Sequence, residues 1–180
     1  MWLVVALAGA CGNKQKPDEG DAECDRLLSN DQDRQDCKAE YHKRGKTTEA
    51  SLNLNKIGKA AKRVKNEIGT YATEAGALLP HPTGTCCGDN GGGAQVNNKC
   101  TPTPAAFKDN AGWSHLGFSV DEPTIYNYQY VPSATGSGFT AYAIGDADCD
   151  GTIATFTLIG TTTAAGNPAV SLTPPASGVY

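Results

Sequence analysis

The chain has 180 residues and a formal charge of −4 at pH 7, a length that suits one domain plus an anchor and a linker. Hydrophobic residues make up 39%, and 21 Gly and 10 Pro imply a modest core with many turns. A balance this close to neutral does not favour a nucleic-acid partner, and seven cysteines without metal-type spacing point to an oxidising compartment.

Residues 2–10, Trp-Leu-Val-Val-Ala-Leu-Ala-Gly-Ala, precede Cys11. The run is much shorter than the roughly 20 apolar residues a membrane-spanning helix needs. It matches the apolar region of a signal peptide, with small residues before the cleavage point. Leu7-Ala8-Gly9-Ala10-Cys11 resembles the lipobox of bacterial lipoproteins. The resemblance implies that residues 1–10 are removed, that Cys11 is lipidated, and that acyl chains anchor an exported protein in a membrane. Gly12 follows the cysteine, in place of the aspartate that signals inner-membrane retention, so the outer membrane or cell surface is expected.

Residues 11–45 are dense in charge of both signs, and Asn13–Asp21 reads as a flexible tether. Cys24 and Cys37 bracket a charged stretch expected as a short helical hairpin turning near Ser29–Asp31. A Cys24–Cys37 bridge would staple a module too small to fold alone. Their spacing fits no zinc pattern, and His42 is the only histidine near them.

The strongest periodicity starts at Thr47 or Thr48. Leu54, Ile57, Ala61, Val64, Ile68 and Tyr71 recur at spacings of 3, 4, 3, 4 and 3, an amphipathic helix with a narrow apolar stripe. Thr48 is expected to cap it, with Glu49 at its positive end. Pro80 and Pro82 forbid its continuation.

Residues 80–112 are expected as a long loop. Gly91-Gly92-Gly93 lacks the Lys-Ser or Lys-Thr and the strand-to-helix setting of a phosphate loop. Adjacent cysteines rarely pair with each other. Cys86 and Cys87 are therefore expected to reach Cys100 and Cys149, in either combination.

From Trp113 the pattern turns to strands, with Trp113, Leu116 and Phe118 as apolar anchors. Tyr126, Tyr128 and Tyr130 alternate with Asn127 and Gln129, as in a half-buried strand. They are expected to meet the helix stripe, with an exposed sugar- or peptide-binding stripe as the alternative. Residues 139–144 and 152–159 read as two further strands. The Thr/Gly/Pro-rich tail 161–180 adds an edge segment or covers one. A helix, a loop and a meander in this order make an α+β domain.

Two segments carry a family resemblance. Lys46-Thr47-Thr48-Glu49-Ala50-Ser51-Leu52-Asn53-Leu54-Asn55-Lys56-Ile57 is similar to the start of the exposed helical half of type IV pilins. Gly138-Phe139-Thr140-Ala141-Tyr142-Ala143-Ile144-Gly145-Asp146-Ala147-Asp148-Cys149-Asp150-Gly151 resembles that family's strand–Asp/Gly turn–strand. Over residues 46–160 the resemblance implies a pilin-like α+β fold. One amphipathic N-terminal helix would pack on a small antiparallel β-meander, with loops tied by disulfides. Residues 12–45 are polar and hold no counterpart of the family's long apolar helix, so the resemblance implies the fold and not the usual route of filament assembly.

Asp146, Asp148 and Asp150 stand at alternate positions in a Gly-ended turn, where acidic side chains can converge on a hard cation. An EF-hand would need Glu at position 157, which is Thr, so the candidate is a looser Ca²⁺ site, with help from Asp121 or Asp89. The plain reading is a solvated hairpin turn tied by Cys149. His42, His81 and His115 are scattered and no Gly-x-Ser-x-Gly turn occurs, so no catalysis and no small-molecule substrate are expected.

Charge is uneven. Lys46, Lys56, Lys59, Lys62, Arg63 and Lys65 outnumber Glu49 and Glu67 over residues 46–68, whereas Asp109, Asp121, Glu122, Asp146, Asp148 and Asp150 outnumber Lys108 after Cys100. Solvated faces account for this, or head-to-tail attraction between subunits that salt would screen. The sequence thus points to an exported, lipid-anchored surface protein with a structural or interaction role. An accessory or minor subunit of a type IV pilus or type II secretion filament is one alternative, and a Ca²⁺-dependent adhesive module another. The membrane is its expected partner, and filament proteins would be the partners of the accessory subunit.

Overall fold

The computed structural model describes residues 19–81, 85–87 and 98–176. The chain divides into two compact units, Met1–His42 and Lys43–Tyr180. Cys11, the cysteine expected to be lipidated, lies outside the described residues.

In the first unit, α1 (Glu19–Leu27) is followed by the start of α2 (Asp31–Ile68). The Asn30 side chain accepts the Gln32 N–H at 2.9 Å and so caps α2, and Asp31 and Asp33 favour its positive end. The expected hairpin therefore forms, and a Cys24–Cys37 disulfide closes it. Asp25 and Lys38 add an ion pair at 2.7 Å, exposed enough to contribute little.

The second unit holds the rest of α2, then β1 (Gly76–Leu79), α3 (Pro104–Asp109), α4 (Ala111–Leu116), β2 (Asn127–Pro132), β3 (Phe139–Gly145), β4 (Ala154–Thr162) and β5 (Pro168–Thr173). The strands form one antiparallel sheet in the order β1-β2-β3-β4-β5.

The fold class expected from the pilin resemblance, one N-terminal amphipathic helix on a small meander, is overturned. The domain is α+β with disulfides, but α1 precedes the long helix and the sheet has five strands. The long helix also starts at Asp31, well before Thr47. Thr47 and Thr48 do not cap it, because both hydroxyls donate to the Arg44 carbonyl within the helix, at 3.0 and 2.7 Å. No proline interrupts residues 31–68, so nothing local stops the helix there. At its other end the stripe is shorter than expected: Ile68 is exposed, and Tyr71, though buried, lies beyond the last turn.

The stretch expected as one loop, residues 80–112, contains α3 and the start of α4 and follows directly on β1. Pro104 takes the first turn of α3, where its missing N–H is harmless. Asn110 then caps α4, accepting the Trp113 N–H at 3.1 Å, and Gly117 ends it at φ 61. Trp113 and Leu116 are thus helical rather than strand anchors. The tail supplies the fifth strand, the edge segment that was one of its two expected roles.

The sheet's inner face is read from the register. Tyr128, Ala143 and Phe156 form one row, Tyr130, Ala141, Leu158 and Leu172 a second, and Phe139, Gly160 and Val170 a third. These residues share one hydrophobic cluster with Ala50, Leu54, Ile57, Ala61 and Val64 of α2. Each large side chain so buried contributes about 1.5–3 kcal/mol. Ala141 and Ala143 leave room on the central strand for the rings beside them.

Gly160 has a particular role in this layer. The Phe139 ring lies flat over it, and a Cβ there would stand 1.9 Å from the Phe139 ring. Phe139 is itself held by Tyr71 and Tyr130, with ring centroids at 5.1 and 5.0 Å. Gly160→Ala is therefore expected to cost about 1–3 kcal/mol by overpacking. Urea unfolding of the two proteins measures this, and equal midpoints would place the ring elsewhere.

Candidate functional site

The turn joining β3 to β4 holds the sequence's acidic triplet. Asp146 is buried, at 4% exposure, while Asp148 and Asp150 are exposed. The two oxygens of Asp146 accept the Asp150 N–H at 3.2 Å and the Gly151 N–H at 2.9 Å. Asp150 in turn accepts the Thr152 N–H at 2.7 Å. These bonds wind the turn so tightly that Cys149 takes φ 62, a left-handed conformation rare for a residue with a side chain. One carboxylate oxygen from each of the three aspartates lies within 4.8 Å of the others. The outer two carboxylates, Asp148 and Asp150, face solvent.

Disulfides settle the pairing left open by the sequence. Cys86 bonds Cys100, and Cys87 bonds Cys149. The second bond ties the acidic turn to the segment after β1, across 62 residues of sequence. The Cys87 sulfur also lies 2.9 Å from the Asp146 carbonyl oxygen. An oxidised sulfur has no proton to donate, so this is close packing and not a hydrogen bond.

The other acidic residues named from the sequence are elsewhere. Asp121 accepts a hydrogen bond from the Ser119 hydroxyl at 3.1 Å and lines a separate cavity of about 480 Å³. Asp89 lies outside the described residues. His115 pairs with Glu74 at 2.7 Å on the surface, and that contact holds the Glu74 carboxyl below its usual range. His81 donates its backbone N–H to the Asn127 side chain at 2.7 Å. The geometry brings neither histidine to a nucleophile.

The cavity exposes a network the sequence reading missed. Glu49, expected at a helix start, sits within α2 and accepts the Ile125 N–H at 2.9 Å and the Thr124 hydroxyl. Asn53 donates to the Tyr128 hydroxyl at 2.8 Å and accepts from Lys56 at 3.1 Å. The signal available was position: Glu49 and Asn53 are four apart and flank the buried Ala50 and Leu54. Polar residues so placed beside a tyrosine-rich strand are where buried phenols find partners.

Tyr126 differs from its neighbours. It is fully buried, and among the described residues its hydroxyl has no hydrogen-bond partner. Burial, then the charges of Glu49 and Asp148, push this phenol from 10.0 up to about 12. Burial also raises Tyr128 and Tyr130.

A phenol raised on folding contributes stability that is complete below its unfolded value and lost as pH rises through the folded one. Unfolding free energy is therefore expected to fall between about pH 10 and pH 12. Tyr126→Phe should remove part of that fall. At neutral pH it should not lower stability and should raise it by up to about 1–3 kcal/mol, because it removes a buried hydroxyl that bonds no described residue. Urea unfolding across a pH series, followed with tyrosinate absorbance, checks both statements. Comparison with family models, with curated proteins and with solved structures gives no match to this chain.

Proposed function

We propose that this is an exported, lipid-anchored surface protein whose disulfide-bonded α+β domain serves a structural or interaction role rather than catalysis. One observation carries the reading. Three disulfides use Cys24, Cys37, Cys86, Cys87, Cys100 and Cys149, and Cys11 is the odd cysteine of the seven. Three bonds in one small chain favour an oxidising compartment. The cysteine left over is the one that follows a short apolar run ending in small residues, a stretch that resembles a lipobox with one additional Ala before the cysteine. Among the described residues no helix is long and apolar enough to cross a membrane. On this reading the acyl chains hold Cys11 in the membrane, and the polar stretch after it spaces the domain from the surface.

The test is the mass of the mature protein from native membranes, taken without reduction and followed by peptide masses. A diacyl- or triacyl-modified Cys11 at a new N-terminus is the expected result. An unmodified Cys11, or an N-terminus upstream of the lipobox, overturns the proposal.

A second reading, a Ca²⁺-dependent binding module, is favoured by the convergence of Asp146, Asp148 and Asp150. Hard oxygen ligands of this kind suit Ca²⁺. Asp146, anchored by two N–H groups, would orient the site, and the exposed Asp148 and Asp150 would supply most of the charge. The expected outcome is a melting temperature that rises in millimolar Ca²⁺, with the rise abolished by Asp148→Ala. That variant alters an exposed side chain and leaves the turn's hydrogen bonds in place. No rise in the parent protein refutes this reading and leaves the first intact.

A further inference from the structure

The two edges of the sheet are treated differently. At β1 the edge is covered by α4. Trp113 donates its ring N–H to the Ala77 carbonyl at 2.7 Å. Gly112 comes so close that a Cβ on it would lie 2.3 Å from the Ala75 carbonyl carbon. At β5 no described residue lies along the outer side of the strand as a further ladder partner. An open edge is normally blunted by charge, a bulge or proline. β5 has six consecutive pairs with β4 and no register shift, and Pro-Ala-Val-Ser-Leu-Thr contains no charge. Pro168 opens the strand and Pro174-Pro175 follow it. Because alternate residues of β5 already bond β4, the outward ladder between these prolines consists of the N–H and C=O groups of Val170 and Leu172.

The side chains of β5 show what is missing. Val170 and Leu172 lie in the inner rows and pack against the core, yet both remain only half-buried. Their neighbours on the β4 side, such as Leu158 at 1% exposure, are fully covered. The outer row along Val131, Thr140, Ile159 and Ser171 is uncharged as well.

We propose that β5 pairs antiparallel with β5 of a second copy of this chain, about a two-fold axis at Ser171. Ser171 lies midway between Val170 and Leu172, so this register pairs the outward backbone groups of both. It sets Val170 opposite Leu172 of the other copy, inner face to inner face, and Ala169 opposite Thr173 on the outer face. The half-buried pair is thereby covered by its own equivalents, as a self-complementary two-fold contact requires. For a chain carrying −4, this uncharged edge is also a place where two copies meet without like-charge repulsion.

The experiment is sedimentation velocity of the full oxidised chain across a wide concentration series. Monomer–dimer association is expected. Ser171→Lys, at an exposed position, should weaken it by about tenfold or more, because two lysines then face each other across the axis. Ser171→Glu should do the same, and an equimolar mixture of the two variants should restore association as a heterodimer. Circular dichroism and thermal melting of the variants confirm that the monomer fold is kept. A chain that stays monomeric at all concentrations overturns the proposal, since an edge covered from within the same chain or awaiting another protein gives that result. So does a dimer indifferent to charge at Ser171. Neither result bears on the lipid anchor, which is read from mass alone.

Discussion

Three alternating phenols constrain the interior of the larger unit. Tyr128 and Tyr130 on β2, and Tyr126 just before it, are all at 0% exposure. A buried hydroxyl without a partner costs about 1–3 kcal/mol, so their burial demands acceptors and donors inside the core. Tyr128 meets Asn53 and Glu49 of α2, and Tyr130 donates to the Ala72 carbonyl at 3.1 Å. That is why the helix carries an acid and an amide beside its apolar stripe. The rings themselves are placed by edge contacts, Tyr128 against Phe118 and Tyr126 against Phe156, with centroids at 5.9 and 5.6 Å. Small residues opposite, Ala141 and Ala143, make space for them. Tyr126 satisfies the packing, but among the described residues nothing bonds its hydroxyl.

The same strand order explains the ends of the sheet. A meander in sequence order leaves its first and last strands as edges. β1 is followed by enough chain to return as α3 and α4, and Trp113 seals that edge with a ring and a hydrogen bond. Along β5 no described residue adds a further ladder partner. Among the described residues one edge is thus sealed and the other carries no charge.

The acidic turn is structural before it is anything else. Asp146 spends both oxygens on backbone N–H groups, and the Cys87–Cys149 bond secures a residue in a left-handed conformation. Such a conformation costs about 1–3 kcal/mol and persists only where its surroundings over-determine it. The two exposed carboxylates are by-products of this geometry unless a cation uses them, which is the physical difference between the two functional readings.

Much was legible in the chain itself. Alternation in Tyr126–Tyr130, the strands near residues 139–144 and 152–159, and the bridge across Cys24 and Cys37 could be read because each depends on neighbours in sequence: a period of two, or a loop short enough to close. The helix was legible as a stripe but not in its extent. Its start depends on Asn30 and on threonine hydroxyls that turn inward, and identical residues can do either. The helical state of Trp113, the partner of each adjacent cysteine, and the tail's place as a fifth strand were decided only by the tertiary structure. The same holds for the network from Glu49 to Tyr128. Each joins groups far apart in the chain, whose meeting is chosen by the packing of the whole sheet and not by any local preference.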